Sequence, residues 1–207
     1  MQWIYGEDIF AHAIGEPINT DDESTLINLL ERLPYSRNRT INKVHDMNSL
    51  PNLSLGNHKN NNSNHSEVLG LLGPAWQKNN PQVLKIIQDL INKRPNKSCY
   101  VASQQLGGIT HLTDLDTSFI HRKAIWKPWI NGAWDAYDQS KRKLTLKWME
   151  EAWNNLEFIC PGVHLAQIHP HLPWHKRELS TAFKDWLPTL QKIKGIHDPR
   201  NLMPPLK

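Results

Sequence analysis

An α+β fold is predicted, an antiparallel sheet with helices packed on one face. Three observations carry this. Segments with apolar residues at helical spacing alternate with short apolar runs bounded by turn residues. The connections between them are loose, unlike the short loops of a parallel strand–helix–strand repeat. Hydrophobic residues make up 39% of the 207 positions and charged residues 21%, a globular composition with enough apolar surface for a core.

Residues 1–18 mix Trp3, Ile4, Phe10 and Ile14 with the breakers Gly15 and Pro17 and read as strand or irregular structure. Asp21, Asp22, Glu23 and Ser24 then place acids and a cap before Leu26, Leu29, Leu30 and Leu33, predicting a first helix stopped by Pro34. The segment 35–66 is polar, with a flexible Asn-rich loop near 56–66. Asn80 and Pro81 open a second helix, whose apolar stripe is Val83, Leu84, Ile86, Ile87, Leu90 and Ile91 and whose end is Pro95–Asn96. Cys99 to Gln105 reads as a strand, and Arg122 to Ile130 as another. Pro128 places this second strand at an edge or at a bulge. Asp138 caps a helix running to about Leu156, with Leu144, Trp148, Ala152 and Leu156 on one face. Pro161–Gly162 reads as a turn, Val163 to Ile168 as a short strand, and Leu179 to Leu190 as helix interrupted near Pro188 and ended by Gly195.

Composition excludes several functions. The net charge is +4, but Lys141, Arg142 and Lys143 are followed by Glu150 and Glu151, so no basic face is available for nucleic acid. No run approaches the ~20 apolar residues of a membrane span, and Met1 to Asp8 lacks a basic, then apolar, signal pattern. No nucleic acid and no membrane are therefore expected as partners, and a cytoplasmic location is. Cys99 and Cys160 sit among apolar residues and read as buried free thiols. Nine Trp suggest a thick core, with a minority lining a groove.

Two motifs carry more information. Gln104-Gln105-Leu106-Gly107-Gly108-Ile109 runs a strand into a double glycine, where the backbone turns with positive φ or approaches something closely. No Lys-Ser/Thr and helix follow, so it is not a phosphate loop. Thr117-Ser118-Phe119-Ile120-His121-Arg122 comes next; Thr117 can close a turn, Phe119 can anchor in the core, and His121 and Arg122 can bond backbone or a carboxylate. Near the end, Asp198-Pro199-Arg200-Asn201-Leu202 follows an amphipathic helix; Asp198 can bond its own backbone ahead while Pro199 fixes φ.

Together these blocks resemble the C-terminal half, the cap (substrate) domain plus terminal helices, of FAD-linked oxidoreductases of the berberine-bridge-like type within the vanillyl-alcohol-oxidase family. Those enzymes carry Gly-Gly followed by Thr-Ala-Phe-x-His-Arg, with Ser118 here in place of the Ala, and end in Asp-Pro-x-Asn-hydrophobic. The resemblance implies a cap-like domain over 1–165, a C-terminal helical segment over 166–207, and an N-terminal FAD-binding domain that is absent. Where the family has Tyr-x-Asn-Tyr on a strand passing the flavin, this chain has Gln167-Ile168-His169-Pro170-His171. By that position Gln167, His169 and His171 are expected to face FAD, while Trp126 and Trp129 are expected to line the substrate pocket. The catalytic residue is not identified.

A metal reading of His164, His169, His171 and His175 competes with this. Pro170 interrupts the pair, and the nearest carboxylate in sequence, Glu178, falls in the following helix, so no metal is assigned. No Gly-x-Ser-x-Gly elbow occurs, which removes a serine hydrolase. The reading is thus the substrate-side portion of an FAD-dependent oxidoreductase, hydride passing from a substrate C–H to flavin, truncated or split and inactive alone. Its partners would be a separate FAD-binding chain and a small-molecule substrate. The alternative is a non-catalytic interaction module derived from such a cap domain, and a metal-dependent hydrolase ranks last.

Overall fold

The computed structural model of the chain describes residues 2–5, 9–33, 38–41, 43, 46, 64–74, 80–111, 117–165 and 168–206. Its strands are β1 (Gln2–Tyr5), β2 (Ile9–His12), β3 (Asn64–Leu72), β4 (Tyr100–Gln105), β5 (Trp126–Asp135) and β6 (Gly162–His164). Its helices are α1 (Glu23–Glu31), α2 (Asn80–Asn92), α3 (Gln139–Leu156), α4 (His175–Phe183) and α5 (Leu187–His197). The strands form one sheet in the order β2-β1-β4-β5-β3-β6, every neighbouring pair antiparallel. The predicted α+β class and antiparallel sheet are what the chain adopts.

The core lies between the sheet and α2 and α3. Leu69 and Leu71 of β3, Val101 of β4 and Trp126 and Ile130 of β5 meet Val83, Ile87 and Leu90 of α2 and Trp148, Met149, Ala152, Trp153 and Leu156 of α3. Close approach of α3 needs a glycine: a Cβ at Gly132 would stand 2.4 Å from Met149 Sδ. Trp126, Trp134, Trp148, Trp153 and Trp174 are all buried, so the excess of tryptophan mainly builds core. Asp138 caps α3 as expected, accepting from the backbone N–H of Lys141 at 2.9 Å. Leu144, however, is exposed, and Thr145 and Met149 take its place on the buried face. Around α1, Asp22 stands at the cap position without a side-chain cap bond, and the helix buries none of its residues.

Three strand expectations change. The polar stretch expected to reach residue 66 ends sooner among the described residues: β3 starts at Asn64 and lies inside the sheet. Positions 56–63 of the Asn-rich loop lie outside the described residues. The 122–130 strand is β5, running Trp126–Asp135, and it is interior rather than edge. Pro128 is tolerated there because the β3–β5 pairing runs as far as Gly70↔Trp129 and resumes only as a bridge at Gly73↔Trp126. The missing N–H of Pro128 therefore falls in a gap of the ladder. Finally, Gly162 is not a turn residue but the first residue of β6, which ends at His164.

Candidate functional site

The pleat of β5 divides its side chains between two faces. Gly132 aims at α3, so Trp126, Ile130 and Trp134 share the helix-packed face. Lys127, Trp129 and Asn131 point the other way, and the register brings Gln104, Ala102 and Tyr100 of β4, Gly70 of β3 and His164 of β6 to that second face.

On this second face Lys127, 8% exposed, lays its ammonium over the Trp129 indole, 4.4 Å from the ring centroid. No carboxylate pairs with it among the described residues. The Trp129 and His164 rings lie 6.1 Å apart, tilted by 44°, on either side of Gly70; a Cβ there would sit 3.2 Å from the His164 carbonyl oxygen. Trp129 Nε1 and His164 Nδ1 are buried and without a hydrogen-bond partner among the described residues. Burial pushes the Lys127 ammonium below its ordinary pKa. Burial, and then the charge of Lys127, pushes the His164 imidazole down, so it is neutral at pH 7.

The helix-packed side holds a different polar group. His169, 1% exposed, donates from Nδ1 to Glu178 Oε1 at 2.7 Å and places Nε2 3.3 Å from Glu67 Oε2. His171 and His65 each donate from Nε2 to Glu67 Oε1, at 2.8 and 2.9 Å. Burial alone would raise the Glu67 carboxyl, but the hydrogen bonds from three imidazoles and the His169 charge hold it at about 2. Burial alone would lower His169, but Glu178 and Glu67 lift it to about 9. His169 is therefore an imidazolium with both nitrogens committed, a clamp between the 168–175 segment, β3 and α4 rather than a free acid or base. His175 is buried with its Nδ1 3.6 Å from Glu178 Oε2, and neither of its ring nitrogens is hydrogen-bonded among the described residues.

The sequence-derived residues thus separate. Trp129 is on the second face. Trp126 is on the opposite side, in the core. His169 and His171 belong to the Glu67 cluster, and Gln167 lies outside the described residues. Sequence reasoning missed Glu67 and Lys127. The signal for Glu67 was the apolar run Val68-Leu69-Gly70-Leu71-Leu72 that extends it as a strand; Lys127 had none beyond its place between two Trp. Among the described residues no group of three or more His, Cys, Asp or Glu is disposed to hold a metal ion.

The motif blocks have structural roles. Gly107 and Gly108 adopt φ of 118° and 68°, the left-handed conformations expected of them. His121 Nε2 donates to the Thr181 carbonyl of α4 at 2.9 Å, and Arg122 donates to Thr117 Oγ1 at 3.1 Å. Phe119 does not anchor in the core: it is 41% exposed, with the Arg122 guanidinium over its ring. Asp198 accepts from the backbone N–H groups of Leu202 and Met203, closing the terminal turn as expected. Both cysteines are buried free thiols. No helix among the described residues is long and apolar enough to cross a membrane.

Both sides of the sheet hold buried ring nitrogens without a hydrogen-bond partner among the described residues, Trp129 Nε1 and His164 Nδ1 on the second face and both nitrogens of His175 on the helix-packed side. Acceptor atoms of a planar heterocycle are what the Trp129 and His164 nitrogens lack, while His169 has both ring nitrogens engaged by carboxylates.

No family model matches the chain and no curated protein matches it. Solved structures do. A variant of BBE-like 1 from Physcomitrella patens is 18% identical with a TM-score of 0.52, over 70% of this chain and 31% of that one. CrmK, a flavoenzyme involved in shunt product recycling in caerulomycin biosynthesis, is 18% identical with a TM-score of 0.53, over 69% and 31%. GilR, an oxidoreductase that catalyses the terminal step of gilvocarcin biosynthesis, is 18% identical with a TM-score of 0.53, over 67% and 31%. The chain spans about a third of the length of each, and at this identity the likeness is one of fold: the chain resembles a portion of berberine-bridge-like and related oxidoreductases, as their C-terminal part would.

Proposed function

We propose that this chain is the substrate-side portion of an FAD-dependent oxidoreductase. The observation that supports it most is that a fold shared with a flavoenzyme and an oxidoreductase presents, on the sheet face away from α2 and α3, a buried polar group with unmet hydrogen-bonding capacity. When bound, the flavin supplies the acceptor for a hydride leaving a substrate C–H. The chain's own residues do the rest. Trp129 Nε1 and His164 Nδ1 take ring acceptors and so orient the ligand. Neutral His164 has a ring nitrogen able to hold a proton near the reacting atoms, while the carboxylate-locked His169 does not.

The remainder of such an enzyme would cover the apolar residues that α5 and the tail expose, Ile193, Ile196, Leu202 and Met203. This supports an FAD-binding partner, adjoining or separate. The same residues favour the second reading, a non-catalytic interaction module. Tagged chain recovered from its own host cells and then denatured should release flavin in proportion to the chain, seen by fluorescence of the supernatant. Complexes that are stable but free of flavin would select the interaction module instead.

A further inference from the structure

We propose that Lys127, held on the indole face of Trp129 beside His164, is the docking cation for a small organic carboxylate, the substrate class of this site.

Lys127 is more than nine-tenths buried, and a buried ammonium without a counter-charge is costly. Among the described residues its one defined contact is the Trp129 ring, which is a weaker partner than an anion once the site is closed to water. The position therefore calls for a negative group. An oxidised flavin ring is neutral at neutral pH and does not supply one, so the charge comes from what lies beside it. The magnitude of the charge narrows the class. Lys127 is the one ammonium or guanidinium placed on the Trp129 ring among the described residues, and a single positive charge suits a carboxylate better than a phosphate dianion. The donor set agrees: the Lys127 ammonium carries three N–H groups, none of them taken by an acceptor among the described residues, and can donate to carboxylate oxygens beside the ring. Gly70 lets His164 pack closely against β3, because a side chain there would crowd it. The inference rests on the second sheet face being the ligand side, as in the proposed function, but not on flavin being present.

The test is calorimetric titration of the purified chain with benzoate and, as its neutral isostere, benzamide. Saturable benzoate binding is expected, with benzamide at least tenfold weaker. Lys127→Met should weaken benzoate at least tenfold and leave benzamide unchanged, Lys127→Arg should retain most of the affinity, and Trp129→Phe should weaken it several-fold. Equal binding of benzoate and benzamide by the unaltered chain, or no binding of either, overturns the proposal without reliance on any variant. A folded Lys127→Met protein that binds benzoate normally also overturns it. Benzoate bound by a chain that never carries flavin would sink the oxidoreductase reading and keep this one. Flavin carried by a chain indifferent to benzoate would do the reverse.

Discussion

His171 Nε2 donates to Glu67 Oε1 at 2.8 Å, joining residues 104 apart in sequence. The same oxygen accepts from His65, and the other carboxylate oxygen faces the His169 imidazolium. One strand carboxylate thus ties the 168–175 segment to the sheet, and Glu178 does the same from α4.

Stability is expected to form a plateau between about pH 4.5 and 6.5 and to fall on both sides. On the basic side, His169 is raised from 6.5 to about 9, so its contribution is full below 6.5 and is lost as pH rises through 9. On the acid side, Glu67 is lowered from 4.5 to about 2, so its contribution is full above 4.5 and is lost as pH falls towards 2. Thermal melts from pH 3 to 10 read both limbs. Glu67→Gln leaves an imidazolium short of one counter-charge and should cost about 3–5 kcal/mol at pH 6. A melting temperature that does not change between pH 6.5 and 9.5 would remove the clamp from the account.

Much of the sheet was legible because its strands and helices announce themselves locally. Asp138, the Val83–Ile91 stripe and the glycine pair at 107–108 each carry their own signal. Glu67 does not. A lone acid at the end of an Asn-rich tract reads as solvent-facing until β3 is paired between β5 and β6, and only that pairing brings it to His169. Pro128 misled for the opposite reason: its local rule is sound, but the gap in the ladder that accommodates it belongs to β3. Lys127 and Trp129 share a face by the two-residue alternation of β5, but His164 reaches Trp129 from β6 across β3, and no spacing along the chain foretells that meeting.

Gly162→Ala is expected to destabilise the chain by about 1–3 kcal/mol, because overpacking displaces what it meets. A Cβ at Gly162 would stand 2.5 Å from His121 Nδ1, and His121 cannot retreat without giving up the Thr181 carbonyl. Removing the imidazole should relieve the crowding. In urea unfolding, Gly162→Ala should therefore cost much less in a His121→Ala background, a coupling that a double-mutant cycle measures directly. Fully additive effects would show that the two residues do not press on each other.

Trp148→Phe is expected to cost about 1–3 kcal/mol while preserving the fold. At the end of α2 the N–H of Lys93 bonds the Asp89 carbonyl and that of Arg94 bonds the Ile91 carbonyl, passing over Leu90. The Leu90 oxygen is one of the carbonyls a helix end leaves over, and Trp148 Nε1 donates to it at 2.9 Å from α3. Phenylalanine keeps most of the ring and loses the donor, so the cost is that of a buried acceptor left unpaired. Urea melts of the variant give the number, and no change would mean that water replaces the indole.

Neither thiol should react with a disulfide reagent while the chain is folded. Cys99 and Cys160 are fully enclosed, and burial pushes the Cys160 thiol well above its ordinary pKa, which leaves almost no thiolate to attack. Cys99 Sγ is further held between the backbone carbonyl and N–H of Ala133. Labelling should therefore be absent in native buffer and reach both cysteines after unfolding in guanidinium. Because exposure of these side chains requires separating β6 and β4 from the helices, the labelling rate at intermediate denaturant reports opening of the core itself. Rapid labelling of Cys99 in native buffer would show that the β4–α2 packing opens without global unfolding.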